Sequence, residues 1–299
     1  MMKVYQLSHP GAHSDLVDGQ ILDVRLEDDF EAGHLARAQS NCVFEVSFGE
    51  RLETTAPNRD LPTVVYGADG ETHEAEAAAE KLWRLGYRDV RILEGGLVAA
   101  RQAGLEIEAG TPLPEPPPEP QGKLEIDLEE SRLEWLGRNL INKHWGTAAL
   151  ESGFLEFEDG QLTGGSFVID LQKLKCTDLA GSDLHDVLIS HLQSDDFFDV
   201  ENHPKATFTI TKVDVPEGTT PGSTTHRVTG DLTLRGQTHA IEFEVSAGRT
   251  PEGKMAAQAA FSIDRTKWGV IYGSGKFFSR IAGHLVNDFL EFQLRVLTR

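Results

Sequence analysis

Residues 109–122 read AGTPLPEPPPEPQG, and this stretch separates two parts of the chain that carry different patterns. It holds six of the chain's 13 prolines. Proline fixes φ and removes a backbone donor, so this density ends helices and strands and favours an extended polyproline II segment. We therefore predict a semi-rigid linker between a first domain, residues 1–108, and a second, residues 123–299. A proline-rich ligand for a partner domain is the alternative, although spacers are commoner.

The composition limits the classes of function. Of the 299 residues, 39% are hydrophobic and 25% are charged, as in soluble globular proteins. The net charge of −20 argues against nucleic acid or an anionic membrane as a partner. No apolar run is long enough to cross a bilayer, and the start lacks the regions of a signal peptide, so we expect no transmembrane segment and a cytoplasmic location. Cys42 and Cys176 lie far apart without a CxxC motif, which excludes a disulfide scaffold and argues against a structural metal.

Before the linker, short apolar strands alternate with helical segments. The strand-like runs are KVYQL (3–7), QILDVR (20–25), TVVYG (63–67) and VRILEGG (90–96). Residues 74–87, EAEAAAEKLWRLGY, follow the third of these runs and have helical periodicity. The apolar face of this helix is formed by Ala75, Ala78, Ala79, Leu82 and Leu85. Strands that alternate with helices predict an α/β domain with a parallel sheet.

After the linker, apolar and polar residues alternate with a period of two. The alternation is strict in AIEFEVSA (240–247) and DFLEFQLRV (288–296). Similar runs occur near 150–158, 164–170, 205–213, 226–234 and 256–263, and one helical stretch, residues 183–193, interrupts them. Many antiparallel strands with one apolar face predict an all-β closed barrel or sandwich. About eight strands would leave an interior for side chains or one small ligand.

Two motifs before the linker resemble the rhodanese family. ILDVRLEDDFEAGHLARAQ (21–39) is similar to its opening signature, a strand ending in Asp-Val-Arg followed by a helix and Gly-His-Leu. Residues 64–108 are similar to its active-site strand and loop, the helix that follows and a closing Gly-Gly turn. The resemblance covers residues 3–108 and implies an α/β rhodanese-like fold. It also implies that Asp23 and Arg25 form a structural ion pair.

The resemblance places the family's active-site loop at Gly67, Ala68, Asp69, Gly70, Glu71 and Thr72. Rhodaneses carry sulfane sulfur as a persulfide on a cysteine at the first loop position, and a basic residue often closes the loop on the anionic substrate. Gly67 and Thr72 stand at these two positions. Asp69, Glu71 and Glu74 add negative charge where an anionic donor would bind. We therefore predict that sulfur transfer is lost, and that the module serves recognition or regulation, with a protein partner docking at the loop.

Cys42 and His73 are the remaining weak catalytic candidates. A sulfurtransferase that uses Cys42 as an atypical nucleophile is the alternative function. A lone cysteine in such a setting is, however, more often a small buried hydrophobe. His34 and His73 are solitary histidines without a visible partner, and such histidines are more often satisfied or exposed than catalytic.

Three stretches after the linker, residues 183–213, 228–245 and 261–278, resemble the YceI family. The resemblance covers about residues 124–296 and implies a lipocalin-like antiparallel barrel that binds long polyisoprenoid lipids or quinones. It implies a polyisoprenoid or quinone as the bound ligand and no required cofactor. The alternative is that the inward side chains fill the barrel completely.

We expect the apolar ligand to contact side chains inside the barrel and at its mouth. The candidates are Trp135, Leu184, Leu188, Leu192, Phe197, Phe198, Phe208, Trp268, Tyr272, Phe277 and Phe278. The histidines of this domain lack the local spacing of a metal site, so we predict no metal here. One or two of them could contact a head group; the histidines considered are His144, His185, His191, His203 and His239.

Overall fold

The computed structural model describes residues 3–5, 16, 18–220, 222–279 and 284–299. The chain forms two compact units that divide between Pro116 and Pro117. Residues 110–121 contain neither helix nor strand, as their proline content predicts. Within the described ranges, no helix combines the length and the apolar character that a membrane crossing requires.

The first unit is an α/β fold. Its strands are β1 (Lys3–Tyr5), β2 (Gln20–Asp23), β3 (Gly33–Leu35), β4 (Gln39–Ser40), β5 (Thr63–Tyr66), β6 (Val90–Leu93) and β7 (Ile107–Ala109). Its helices are α1 (Glu27–Ala32), α2 (Phe48–Thr55), α3 (Glu74–Arg84) and α4 (Gly96–Gln102). Five strands form a parallel sheet in the order β1-β6-β5-β2-β4, and β3 pairs with β7 in a separate ribbon. The predicted α/β fold with a parallel sheet is confirmed.

Both faces of this sheet are buried, which explains why its strands read as continuous apolar runs. Leu22 and Val65 pack into a core with residues of α2 and α3, while Ile21 and Val64 pack into a second core that includes residues of α4. The predicted apolar face of α3 is buried as far as Leu82. Leu85, the last residue predicted for this face, lies just after the helix, which ends at Arg84, and it is 39% exposed. The prediction that Leu85 belongs to the apolar face of the helix is therefore wrong.

The second unit is an antiparallel barrel. Its strands are β8 (Gly122–Glu125), β9 (Arg132–Arg138), β10 (Lys143–Glu158), β11 (Gln161–Cys176), β12 (Lys205–Asp214), β13 (His226–Leu234), β14 (Gln237–Arg249), β15 (Met255–Asp264) and β16 (Phe289–Leu297). Helix α5 (Leu184–Gln193) follows β11, and a 3₁₀ turn (Arg265–Trp268) follows β15. Each strand from β9 to β16 pairs with the next, and β16 pairs back with β9, so eight strands close.

The short strand β8 lies beside the barrel rather than in its ring. The first part of β10 pairs with β9, and residues 154–157 of the same strand pair with β8. At this end the backbone N–H of Arg299 donates to the carbonyl oxygen of Glu125 (2.9 Å), and Ile126 bridges to Thr298. The two ends of the barrel segment therefore meet beside each other.

The other end of the barrel is formed by four connections. The register places the β9–β10 hairpin, the segment between β11 and β12 that contains α5, the β13–β14 hairpin, and residues 265–279 and 284–288 at this end. Leu140 and Ile141, at the tip of the β9–β10 hairpin, are 84% and 86% exposed. We call this end the mouth of the barrel.

Arg265 anchors the connection between β15 and β16. Its side chain is fully buried, and its guanidinium donates to the carbonyl oxygens of Asn287 (2.9 Å), Val270 (2.7 Å) and Val286 (3.2 Å). Asp288 Oδ1 lies 3.8 Å from its Nη2. One buried side chain therefore satisfies three carbonyl groups that would otherwise lose hydrogen bonds to water.

We expect Arg265→Leu to lower the free energy of unfolding by roughly 3 kcal/mol, because it leaves buried acceptors unpaired. The matched control is Arg295→Leu, since the Arg295 side chain is 52% exposed and donates to one carbonyl, that of Glu130. The control should change the free energy of unfolding by less than about 1 kcal/mol. Urea unfolding of the full chain, followed by tryptophan emission, measures both. Equal effects of the two substitutions would contradict the assigned role of Arg265.

Candidate functional site

The barrel contains a cavity of about 320 Å³. Its wall is built from alternate residues of all eight strands, because a strand turns every second side chain inward. The strand residues that line it include Leu133, Ala148, Leu150, Ile169, Leu171, Ala206, Leu232, Leu234, Ile241, Ile263, Leu290 and Leu294. The volume lies near the lower end of the range for small-molecule sites, and the lining is mostly apolar. The inward side chains therefore do not fill the barrel completely.

Four phenylalanine rings form one continuous side of the cavity. Phe208 contacts Phe243 with 5.5 Å between ring centroids, Phe243 stacks on Phe261 at 4.3 Å, and Phe261 stacks on Phe292 at 5.4 Å. These residues lie on β12, β14, β15 and β16. Rigid aromatic faces give the cavity a large apolar surface with little side-chain freedom to lose.

Polar side chains of the lining come mainly from elements at the mouth. Arg138 and His144 lie on the two strands of the β9–β10 hairpin and Asn139 lies in its turn, while His191 lies on α5. The His191 ring meets the Tyr272 ring edge-on, with 4.7 Å between centroids. Arg138 Nε donates to Glu291 Oε1 at 2.7 Å. The cavity therefore combines an apolar interior with polar and charged groups at one end.

Trp135 lines the cavity and has a hydrogen-bond donor without an acceptor among the described residues. The residue is 9% exposed, and its Nε1 is buried without a hydrogen-bond partner among the described residues. A buried donor left without an acceptor costs about 1–3 kcal/mol. By contrast, the indole N–H of Trp268 donates to the carbonyl oxygen of Leu232 at 3.0 Å.

Seven of the eleven ligand-contact candidates line the cavity, and the other four do not. The seven are Trp135, Leu188, Leu192, Phe197, Phe198, Phe208 and Tyr272. Trp268 is 1% exposed and packs in the core, outside the lining. Leu184, in the first turn of α5, is 61% exposed, and Phe277 and Phe278, in the connection between β15 and β16, are 55% and 44% exposed. Ligand contact by any of the eleven stays a prediction.

Beside the cavity lining, three polar side chains converge. Asp178 accepts hydrogen bonds from His144 Nδ1–H at 2.8 Å, from the Cys176 thiol at 3.1 Å and from the backbone N–H of Trp145 at 2.9 Å. Burial, together with the bond to Asp178, raises the pKa of Cys176 to about 11. Although burial opposes the change, the Trp145 N–H and the His144 side chain hold the pKa of Asp178 below its usual value.

The close approach of β10 and β11 creates this cluster. Gly146 pairs with Cys176, and a Cβ on Gly146 would lie only 1.7 Å from the carbonyl oxygen of Lys175. The local spacing of histidines gives no sign of the cluster, because His144 lies 32 positions before Cys176 and reaches it and Asp178 only through the strand register. The signal available in the sequence was a histidine near the start of one predicted strand and a cysteine near the end of the next, since these positions face each other in an antiparallel pair.

In the first unit, Glu74 occupies the space beside the first position of the rhodanese-type loop. A Cβ on Gly67 would lie 2.6 Å from Glu74 Oε1, and this oxygen accepts the N–H of Ala68 at 3.0 Å. Burial opposes the shift, but hydrogen bonds from Thr72 and Ala68 hold the pKa of Glu74 below its usual value. Asp69 Oδ1 accepts the N–H of Glu71 at 2.8 Å, so the loop is held by its own carboxylates.

The remaining candidates of the first unit lie in structural positions. The predicted ion pair is confirmed: Arg25 Nη2 donates to Asp23 Oδ2 at 2.6 Å, and both side chains are buried. His34 stacks on Phe30 and its Nδ1–H donates to the carbonyl oxygen of that residue at 2.8 Å. Cys42 is 3% exposed, as a buried hydrophobe would be.

The other histidine of the loop is placed differently. His73 lies at the N-cap of α3, is exposed, and makes no side-chain cap hydrogen bond there. Among the described residues, therefore, neither Cys42 nor His73 forms part of a hydrogen-bonded pair of nucleophile and base.

Comparison with known proteins gives matches to both units. A family model described as the YceI-like domain matches residues 124–296, and one described as the Rhodanese-like domain matches residues 9–103. A UPF0312 protein of Staphylococcus epidermidis is 29% identical over 142 residues, which cover 43% of this chain and 73% of that protein.

Solved structures are similar to each unit separately. A polyisoprenoid binding domain from Saccharophagus degradans is 15% identical, with a TM-score of 0.43 over 60% of this chain and 98% of that one. A thiosulfate sulfurtransferase from Pseudomonas aeruginosa is 32% identical, with a TM-score of 0.32 over 36% of this chain and 20% of that one. Since the YceI model matches more than half of the chain, the protein belongs to the YceI-like family, and it carries a rhodanese-like domain before the barrel.

Proposed function

We propose that the barrel binds a long apolar lipid of the polyisoprenoid or quinone type. The apolar cavity is the observation that carries this proposal. Each buried CH₂ group contributes roughly 0.8 kcal/mol, so a ten-carbon segment would contribute about 8 kcal/mol before the entropic costs of binding. Such a chain needs few polar contacts inside the barrel.

The arrangement of polar groups supports an amphiphile rather than a plain hydrocarbon. A chain would lie along the phenylalanine rings, and its head group would reach Arg138, His191 or Tyr272 at the mouth. An oxygen of the ligand near Trp135 would also give the indole N–H the acceptor that the described protein residues do not supply. Family membership supports the same class of ligand. The cytoplasmic location stays a prediction.

We also propose that the rhodanese-like unit has no sulfurtransferase activity and serves as a recognition or regulatory module. Gly67 supplies no nucleophile, and the carboxylate of Glu74 lies where an anionic substrate would approach the loop. A protein partner at this loop is part of the proposal. Cys42, the atypical nucleophile of the alternative function, lies in the core, and a thiol there meets no anionic donor from solvent.

For the barrel, we expect organic extraction of the protein purified from its native cells, followed by mass spectrometry, to yield a lipid with a long apolar chain. Ala148→Phe should reduce the lipid recovered and weaken binding of added polyprenol by about tenfold or more, because Ala148 lines the cavity and a benzyl group would occupy the space of the chain.

The matched control for the cavity experiment is Ala260→Phe. Ala260 also lies on a barrel strand, but its side chain is exposed on the outer face, so lipid recovery should not change. If Ala148→Phe and the wild type retained equal lipid, or if native protein yielded none and bound no polyprenol, the carrier proposal would be wrong.

For the first unit, we expect incubation of the full chain with thiosulfate and cyanide to produce no thiocyanate above background. Gly67→Cys alone should also stay inactive, because Glu74 would have to shift for the new side chain and its carboxylate would still lie beside the thiol that an anionic donor must reach. Adding Glu74→Ala and Thr72→Arg should allow the thiol to take up sulfur, detected as a persulfide by mass spectrometry. Turnover by the wild type that Cys42→Ser abolishes would instead establish the alternative enzyme.

A further inference from the structure

We propose that His144, Cys176 and Asp178 form a binding site for Zn²⁺ or a similar transition-metal ion at the mouth of the barrel. One potential ligand atom from each of the three side chains lies within 4.8 Å of the other two. Ligands of one tetrahedral Zn²⁺ ion, each 2.0–2.3 Å from it, are separated by roughly 3–4 Å. Small side-chain adjustments therefore bring the three donors to one ion.

The backbone holds the three donors together independently of their own hydrogen bonds. Gly146 and Cys176 are paired residues of β10 and β11, and the N–H of Thr177 donates to the carbonyl oxygen of Trp145 at 2.8 Å. His144 and Asp178 are the next residues on the two chain segments, at the same end of this pairing. Because both strands belong to a closed barrel, the donors are arranged before any ion binds, which reduces the entropic cost of assembly.

The donor set selects the class of ion. One imidazole nitrogen, one thiolate sulfur and one carboxylate oxygen suit Zn²⁺ and related transition metals, whereas Mg²⁺ and Ca²⁺ require mainly oxygen donors. A divalent ion would neutralise the charges of the Asp178 carboxylate and the Cys176 thiolate, so the half-buried cluster would carry no net charge. The amide N–H of Trp145 already donates to Asp178 and would orient this ligand from outside.

Binding of the ion releases one proton. The Cys176 thiol, which now donates to Asp178, loses its proton to solvent and becomes a thiolate ligand. His144 would bind through whichever ring nitrogen faces the ion, with an N–H on the other nitrogen. Three protein ligands leave a fourth position for water, and His144 also lines the cavity, so this position lies at the mouth.

The test is titration of the full chain with Co²⁺, whose complexes with thiolate show a charge-transfer absorption band in the near ultraviolet. We expect the wild type to develop this band with one equivalent of Co²⁺ and to lose it when Zn²⁺ is added. Cys176→Ser should abolish the band. His144→Ala should weaken Co²⁺ binding by more than the roughly 10–100-fold that loss of an outer-sphere partner causes.

Cys42→Ser is the matched control, because Cys42 is the other free and buried cysteine of the chain and lies in the first unit. It should leave the band unchanged. Asp178→Asn tests the carboxylate while keeping an acceptor for Trp145, and it should also weaken binding; circular dichroism establishes that each variant is folded. The proposal is overturned if the wild type shows no thiolate band, or if the band survives Cys176→Ser.

Discussion

The pairing of β16 with β9 is the interaction on which the second unit depends. It joins the last strand of the ring to the first, so the eight strands have no free edge within the ring. Once the ring closes, every second side chain must point inward, and the phenylalanine side of the cavity follows from that alternation. Closure also fixes the distance between opposite walls, so the apolar space inside is set by the strand number and by small residues such as Ala148 and Ala206.

In each unit, a glycine leaves space that other groups fill, and the two spaces are filled differently. In the barrel, Gly146 lets β10 and β11 come close enough to gather three side chains around one point at the mouth. In the rhodanese-like unit, the absence of a side chain at Gly67 leaves room that Glu74 enters, and the loop amide of Ala68 is satisfied from within the protein. A missing Cβ thus lets three polar side chains converge in one place and lets a carboxylate enter a loop in the other.

Much of the fold follows from patterns that involve only neighbouring residues. The period-two alternation in 240–247 and 288–296 predicts inward and outward faces correctly, because side-chain direction in a strand depends on the strand itself. Which residues meet across the sheet depends on register, and the register shifts along β10 and β11 leave no trace in the alternation. The cluster around Asp178 could therefore not be predicted from histidine spacing.

The same limit explains why four of the predicted contact residues lie outside the cavity lining. Helical periodicity places Leu184, Leu188 and Leu192 on one side of α5, yet only the last two reach the cavity, because the first turn of the helix extends past the rim. Phe277 looks from its residue type like a core aromatic but lies on an exposed turn. Residue type and local period identify apolar faces, and the geometry of the whole ring decides which of them enclose space.

The side-by-side position of residues 125 and 299 has a consequence for how such a barrel is combined with other modules. Both termini of the barrel segment lie at the end of the barrel where β8 pairs with β10, opposite the mouth. Additional sequence joined at either terminus therefore continues from the end of the barrel opposite the mouth, and the ring of strands does not have to be interrupted. Gene fusion can then change what the barrel is attached to without altering the residues that line its cavity, and this topology suits a barrel that is reused with different companions.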